Sequence, residues 1–203
     1  ARCPLTEVAQ EILDDRKGLE ALTGKLVRGH AYPNGSYNEE IKQLYNTLGI
    51  DYARVTESLP AVYLPYDPIP QLVLPKDPME WRPTCHHADP KLKEYAKDFA
   101  HFKKKQYLKL LYVWGHSYEF EEQHNWNVIE EFCEYIGGRE DIWYAANIEI
   151  IDYMNAAKRL RYSADYALVE NPNYDSVWVT LNDSISVELK GGSLTDLREY
   201  VET

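Results

Sequence analysis

The stretch Leu26-Val27-Arg28-Gly29-His30-Ala31-Tyr32-Pro33-Asn34-Gly35 decides how the 203-residue chain is read. A short apolar run with polar residues at its end is stopped abruptly by a Pro-Asn-Gly turn, which is the pattern of a strand leaving a sheet. Outward from it, Leu5 to Leu22 places Leu5, Val8, Ile12, Leu19 and Leu22 among acids at helical spacing, and Gly24 offers a stop. On the other side, Asn38 stands where a helix cap belongs, Ile41, Leu44, Tyr45 and Leu48 share one helical face, and Gly49 follows. Ile50 to Val55 is the next strand. Helix, strand, helix, strand with short returns predicts parallel strands joined by right-handed crossovers.

The alternation continues beyond an irregular stretch. Prolines at 60, 65, 68, 70, 75, 78 and 83 forbid a long helix from Glu57 to Pro83 and predict a surface loop. A helix is expected from Pro90 to Phe102, and the nearly continuous apolar run Tyr107 to Trp114 suits a strand buried on both faces. Further helices are expected at Trp126–Ile136 and Ile148–Leu160, with a strand at Ile142–Ala145 between them. Ser176 to Leu189 then alternates with period two about Asn182-Asp183, a hairpin, followed by Gly191-Gly192 and a short polar helix. Residues 1–160 are expected to form the helix–strand part and residues 161–203 a small antiparallel β appendage and tail.

Composition excludes several functions. There are 22 basic and 33 acidic residues, a net charge of −11, and this balance repels phosphate backbones. The basic run Lys103-Lys104-Lys105 reads as a solvated helix end. Nucleic acid is therefore not an expected partner, and no stretch approaches the ~20 apolar residues of a membrane span. Cys3, Cys85 and Cys133 fit neither a disulfide framework nor a paired zinc motif, so reduced thiols are expected. Seventeen tyrosines and five tryptophans offer flat amphipathic rings, which fill cores and also stack on sugars. Compartment and self-association stay open, a homo-oligomer included.

Three clusters could carry chemistry, since parallel α/β architectures gather active residues at the C-terminal ends of strands. They are Arg28 to Tyr37, Trp81-Arg82-Pro83-Thr84-Cys85-His86-His87-Ala88-Asp89, and Leu111-Tyr112-Val113-Trp114-Gly115-His116-Ser117-Tyr118. Adjacent histidines on a strand point to opposite faces, so His86 and His87 are expected to bond locally or line a groove rather than share a metal. A strand-end histidine such as His116 can be structural, and Arg28 a plain surface ion pair.

Together these residues resemble the polysaccharide deacetylases with a nodulation-B-like catalytic domain. Arg28 ahead of Tyr32-Pro33-Asn34-Gly35, the loosely matching Asp77-Pro78-Met79-Glu80-Trp81, and Leu110 to His116 follow one another as that family's later motifs do. Gly115-His116-Ser117-Tyr118-Glu119-Phe120, Asn125-Trp126 and Asp141 to Ala145 resemble a bacterial branch, and the likeness spans roughly residues 1–160. It implies an α/β fold: a distorted, incomplete (β/α) barrel, the β appendage apart. It implies hydrolysis of acetamide groups on N-acetylated glycans by a divalent metal, zinc or a similar ion. His116 would be the general acid, Arg28 would orient a base aspartate, and Asp77 would fix Arg28. Tyr32, Trp81, Trp114, His86 and His87 would line the substrate.

The family's metal is held by an aspartate and a His-x-x-x-His motif, with a second aspartate as base. No His-x-x-x-His occurs here, and no Asp-Asp pair ends an early strand. In family order these would precede Ala1. The expectation is therefore a chain with no metal ligands of its own, inactive alone, its first strands and metal motifs lying elsewhere. A sugar-binding pseudoenzyme and an esterase acting on O-acetyl groups are the alternatives.

Overall fold

The computed structural model describes residues 3–59, 71–103 and 107–201. The chain falls into two compact units: Ala1–Phe102 with Lys109–Trp143, and Lys103–Leu108 with Tyr144–Thr203. The boundary read from sequence at 160 lies at the end of a helix, whereas the units part at Trp143, so that helix goes with the C-terminal sheets.

The first unit begins with α1 (Leu5–Thr23), which ends where Gly24 turns into the left-handed region and its N–H bonds the Glu20 carbonyl at 2.9 Å. β1 (Gly29–Ala31) leads through a 3₁₀ turn at Pro33–Gly35 to α2 (Glu39–Thr47), and β2 (Tyr52–Arg54) returns beside β1. As expected, Asn38 caps α2, its Oδ1 accepting from the Ile41 N–H at 2.9 Å. The other end of α2 is closed by Arg16 of α1, whose guanidinium donates to the Leu48 carbonyl at 2.6 Å. A cation there also suits the negative end of the helix dipole.

β1 and β2 are parallel, with Gly29 opposite Tyr52 and Ala31 opposite Arg54. Trp81 continues the arrangement through a parallel bridge to Arg54. β3 (Cys85–His86) and β4 (Val113–Trp114) form a second parallel pair, Cys85 opposite Val113 and His86 opposite Trp114. The crossover from β3 to β4 carries α3 (Leu92–His101); α4 (Ser117–Gln123) and α5 (Asn127–Ile136) follow β4. One core joins Ile12, Tyr32, Ile41, Tyr45, Ile50, Ala53, Val55 and Met79. Burying each large aliphatic side chain there contributes roughly 1.5–3 kcal/mol. Cys85 is fully buried, and burial pushes its thiol up to about 12.

The strands are shorter than the apolar runs that signal them. The run Tyr107–Trp114 pairs only over its last two residues, and Ile142–Ala145 forms no strand. Four apolar residues do not separate a strand from an extended connection. Residues 60–70 of the proline-rich loop lie outside the described residues.

In the second unit, α6 (Asn147–Lys158) precedes β5 (Arg161–Tyr162), β6 (Leu168–Glu170), β7 (Val177–Leu181), β8 (Ile185–Leu189) and β9 (Leu194–Asp196). β7 and β8 are the antiparallel hairpin that the period-two pattern predicts, from Val177 opposite Leu189 to Leu181 opposite Ile185. Asn182 and Asp183 both take positive φ, 48° and 58°, in the three-residue connection, and the Ser184 N–H closes it on the Leu181 carbonyl at 3.0 Å. β5, β6 and β9 form an antiparallel sheet that the sequence pattern does not reveal. Val169 of β6, Val187 and Leu189 of β8, and Leu197 just after β9 make one core of this unit. Asn171, fully buried, donates to the carbonyls of Leu189 (2.7 Å) and Asp175 (3.0 Å) and accepts from the Asn173 side chain (2.7 Å) and N–H (3.0 Å). Among the described residues no helix is long and apolar enough to cross a membrane.

Candidate functional site

The last residues of three parallel segments meet in the first unit. β2 ends at Arg54, β3 at His86, and β4 at Trp114, after which Gly115 leads into His116 at the start of α4. The Arg54 guanidinium lies over the Trp114 ring, 4.4 Å from its centroid. Trp114 in turn is 4.7 Å from the His86 ring and 5.8 Å from the His116 ring. Tyr118, exposed, stands 5.2 Å from His116.

Glu119, in the first turn of α4, ties the histidines together. Its Oε1 is 2.7 Å from His116 Nδ1, and its Oε2 is 3.1 Å from His87 Nε2 and 3.4 Å from His86 Nε2. The hydrogen bond to His116 holds the Glu119 carboxyl below the usual carboxylate range. The positive charge available on His86, His87 and His116 adds to this, and partial burial opposes it. Burial lowers the pKa of His87, and the neighbouring His86 lowers it further. His87 Nε2 is buried and meets no hydrogen-bond geometry with any described residue.

The two adjacent histidines share one side, contrary to the expectation that they diverge. Their ring centroids are 4.2 Å apart. The reason is local: β3 stops at His86, so the alternation of a strand does not extend to His87. His87 tucks in against Phe120, centroids 4.2 Å apart, while its N–H donates to the Trp114 carbonyl at 2.8 Å.

The other expected site residues lie elsewhere or deeper. Arg28 precedes β1 and pairs with Asp51 at 2.5 Å, at the N-terminal ends of β1 and β2. The expected Arg28–Asp77 contact gives way to this pair, because the two residues that precede parallel partners sit side by side. Asp77 instead accepts from the Met79 N–H at 2.8 Å and pairs with Lys42 Nζ at 2.6 Å. That hydrogen bond is the main reason the Lys42 ammonium is pushed up to about 12. Tyr32 is a core residue, stacked between Tyr37 and Tyr45 at 4.8 and 5.2 Å, its hydroxyl donating to the Met79 carbonyl at 2.9 Å. Trp81 is fully buried with its ring edge-on to Tyr52 and Tyr112 at 5.4 and 5.3 Å, so it backs the site rather than facing it.

Arg54 and Glu119 are the two members that the sequence reading passed over. Both carried a signal: Arg54 is a cation closing an apolar strand, and Glu119 lies three residues after His116, the spacing that stacks side chains on one helical turn. His86, His116 and Glu119 are also the described residues that could hold a metal, their donor atoms all lying within 4.8 Å of one another. Imidazole and carboxylate together form a donor set suited to zinc-like ions.

No curated protein and no solved structure matches this chain. Residues 1–53 match the family model for polysaccharide deacetylase. That match is shorter than the span over which the motifs resemble the family, and it takes in Arg28 and Tyr32 but ends ahead of Arg54, Trp81, His86 and His116. The match covers the N-terminal quarter of the chain, from α1 to the middle of β2.

Proposed function

We propose that this chain serves in hydrolytic removal of acetyl groups from N-acetylated glycans, with His116 as the proton donor. The observation that carries the assignment is the pairing of His116 Nδ1 with Glu119 Oε1 at 2.7 Å, at the end of a parallel strand. A carboxylate on Nδ1 fixes the ring and its tautomer and leaves Nε2 as the atom that delivers a proton. The match over residues 1–53 supports the reaction class, and the parallel pairs β1–β2 and β3–β4 support a partial (β/α) barrel for the first unit.

His116 is nearly half exposed, so a substrate can reach it. Amide hydrolysis needs a proton on the departing nitrogen, because an amide anion is too poor a leaving group, and His116 would provide it. Trp114 and Tyr118 flank His116 and offer rings against which a sugar face can pack. Arg54 fixes the Trp114 plane. A divalent ion, when bound beside the acetamide, supplies polarisation of its carbonyl and an activated water. No His-x-x-x-His, the motif that helps hold this ion in the family, occurs in the sequence.

The test is acetate release from N-acetylglucosamine oligomers by the native protein. His116→Ala should lower kcat about 10²–10⁴-fold with KM little changed, the signature of a group acting in the transition state. Glu119→Gln should cost less, since the ring remains but loses its anionic partner. Ordinary turnover with weakened binding alone would move His116 from acid to pocket wall.

A further inference from the structure

We propose that His86, His116 and Glu119 form a site for a divalent transition-metal ion of the zinc class, with the buried His87 as an inner fourth donor. It is distinct from the ligand set that the family resemblance implies, and it stands on donor geometry, independently of the deacetylase reading.

Three donor groups converge, and His87 reaches the same carboxylate from the buried side. The donor atoms of His86, His116 and Glu119 lie within 4.8 Å of one another. The His87 and His86 Nε2 atoms are 3.1 and 3.4 Å from Glu119 Oε2. Bonds of about 2.0–2.1 Å at a tetrahedral ion put its ligand atoms about 3.3 Å apart. The observed separations bracket that edge. The 2.7 Å contact between His116 and Glu119 is shorter, a hydrogen-bond length, and His116 is the most exposed of the four and the freest to open.

His87 provides an independent pointer. Its side chain is 3% exposed, and its Nε2, although 3.1 Å from Glu119 Oε2, meets no hydrogen-bond geometry with any described residue. Buried polar atoms are seldom left so. The atom faces the carboxylate that the other two imidazoles face. A cation on that shared side would satisfy His87 and would also neutralise the one carboxylate. Three imidazoles with one carboxylate favour zinc, cobalt or nickel over magnesium or calcium, which prefer oxygen.

The site requires two local changes. A metal on His86 Nε2 moves the ring proton to Nδ1, where the Ala88 N–H now donates at 3.2 Å. That amide is at the surface and can turn to water instead. A metal also takes over the carboxylate that otherwise holds His116. Metal occupancy and proton donation by His116 are therefore alternative states of one cluster.

The full chain, stripped with a chelator and freed of any affinity tag, should take up one zinc ion per chain in equilibrium dialysis. Titration with cobalt(II) should give the intense visible absorption of a tetrahedral site. Glu119→Gln and His86→Ala should each weaken zinc binding at least as much as losing an outer-sphere partner does, about 10–100-fold. His101→Ala, an exposed histidine at the end of α3, should leave it unchanged. Circular dichroism checks that each variant folds. Glu119→Gln, almost the same size, decides the matter if His86→Ala does not fold. No stoichiometric uptake, or uptake unaffected by Glu119→Gln, would overturn the site. Neither measurement involves acetate release, so failure here is separable from failure of the deacetylase reading.

Discussion

Replacing Gly115 by alanine should disable the histidine cluster without removing any of its members. A Cβ built at this position would stand 1.7 Å from His87 Nδ1, 2.5 Å from Cε1 and 2.8 Å from Cγ. Ordinary contact needs about 3.4 Å or more, so the ring would have to move by roughly 1.5–2 Å. It has nowhere easy to go: Phe120 and His86 press on it with centroids at 4.2 Å, and its own backbone is tied to Trp114. Overpacking of this kind costs typically 1–3 kcal/mol, and the confined ring argues for about 2 kcal/mol. Urea unfolding followed by tryptophan fluorescence would measure it, with the same substitution repeated in a His87→Ala background. There the clash is gone, and the cost should fall by about 1–2 kcal/mol, the coupling expected of residues in contact. Any backbone preference at position 115 is common to both backgrounds and cancels. Equal cost in both would refute the claim that Gly115 exists to admit His87.

Two further outcomes follow from buried polar groups. Burial holds the pKa of His30 down against the weaker pull of Asp15, and holds down that of His87, where His86 and His116 add to it and Glu119 opposes. Both rings then bind fewer protons folded than unfolded, so stability should fall as pH drops below the ordinary imidazole value of 6.5. A urea midpoint that stays flat from pH 7.5 to 5.5 would contradict this. In the second unit, Asn171→Ala strands two carbonyls and an amide, which should cost about 3 kcal/mol. A loss under 1 kcal/mol in thermal or urea unfolding would mean water replaces the asparagine.

The parts legible in sequence are those with a local physical signature. Asn38 announced α2, Asn182-Asp183 the hairpin, and Gly24 the end of α1, since caps and turns are set by a few adjacent residues. Apolar runs gave the positions of β1, β2 and β4 but overstated their lengths, because burial and pairing are different conditions. The sheet of β5, β6 and β9 left no trace, as two- and three-residue strands are too short to alternate. In the site, His116 and Trp114 could be found from the strand-end pattern. Their coordination could not. That Glu119 gathers three imidazoles depends on where β3 stops, a one-residue matter that decides which way His87 points.

Trp81 carries a consequence for how this molecule can be watched. It is sealed from solvent, with two tyrosine rings edge-on to it, whereas Trp126, Trp143 and Trp178 lie open to solvent. Iodide added to the solution quenches the emission of the open indoles by collision and leaves that of Trp81, with part of that of the half-buried Trp114. Trp114→Phe removes the second contribution, and the residual blue-shifted light then reports on the junction of β2 with the segment leading to β3. Tyr52 and Tyr112 pass their excitation energy to the same ring, which deepens that signal when excitation is moved into the tyrosine band.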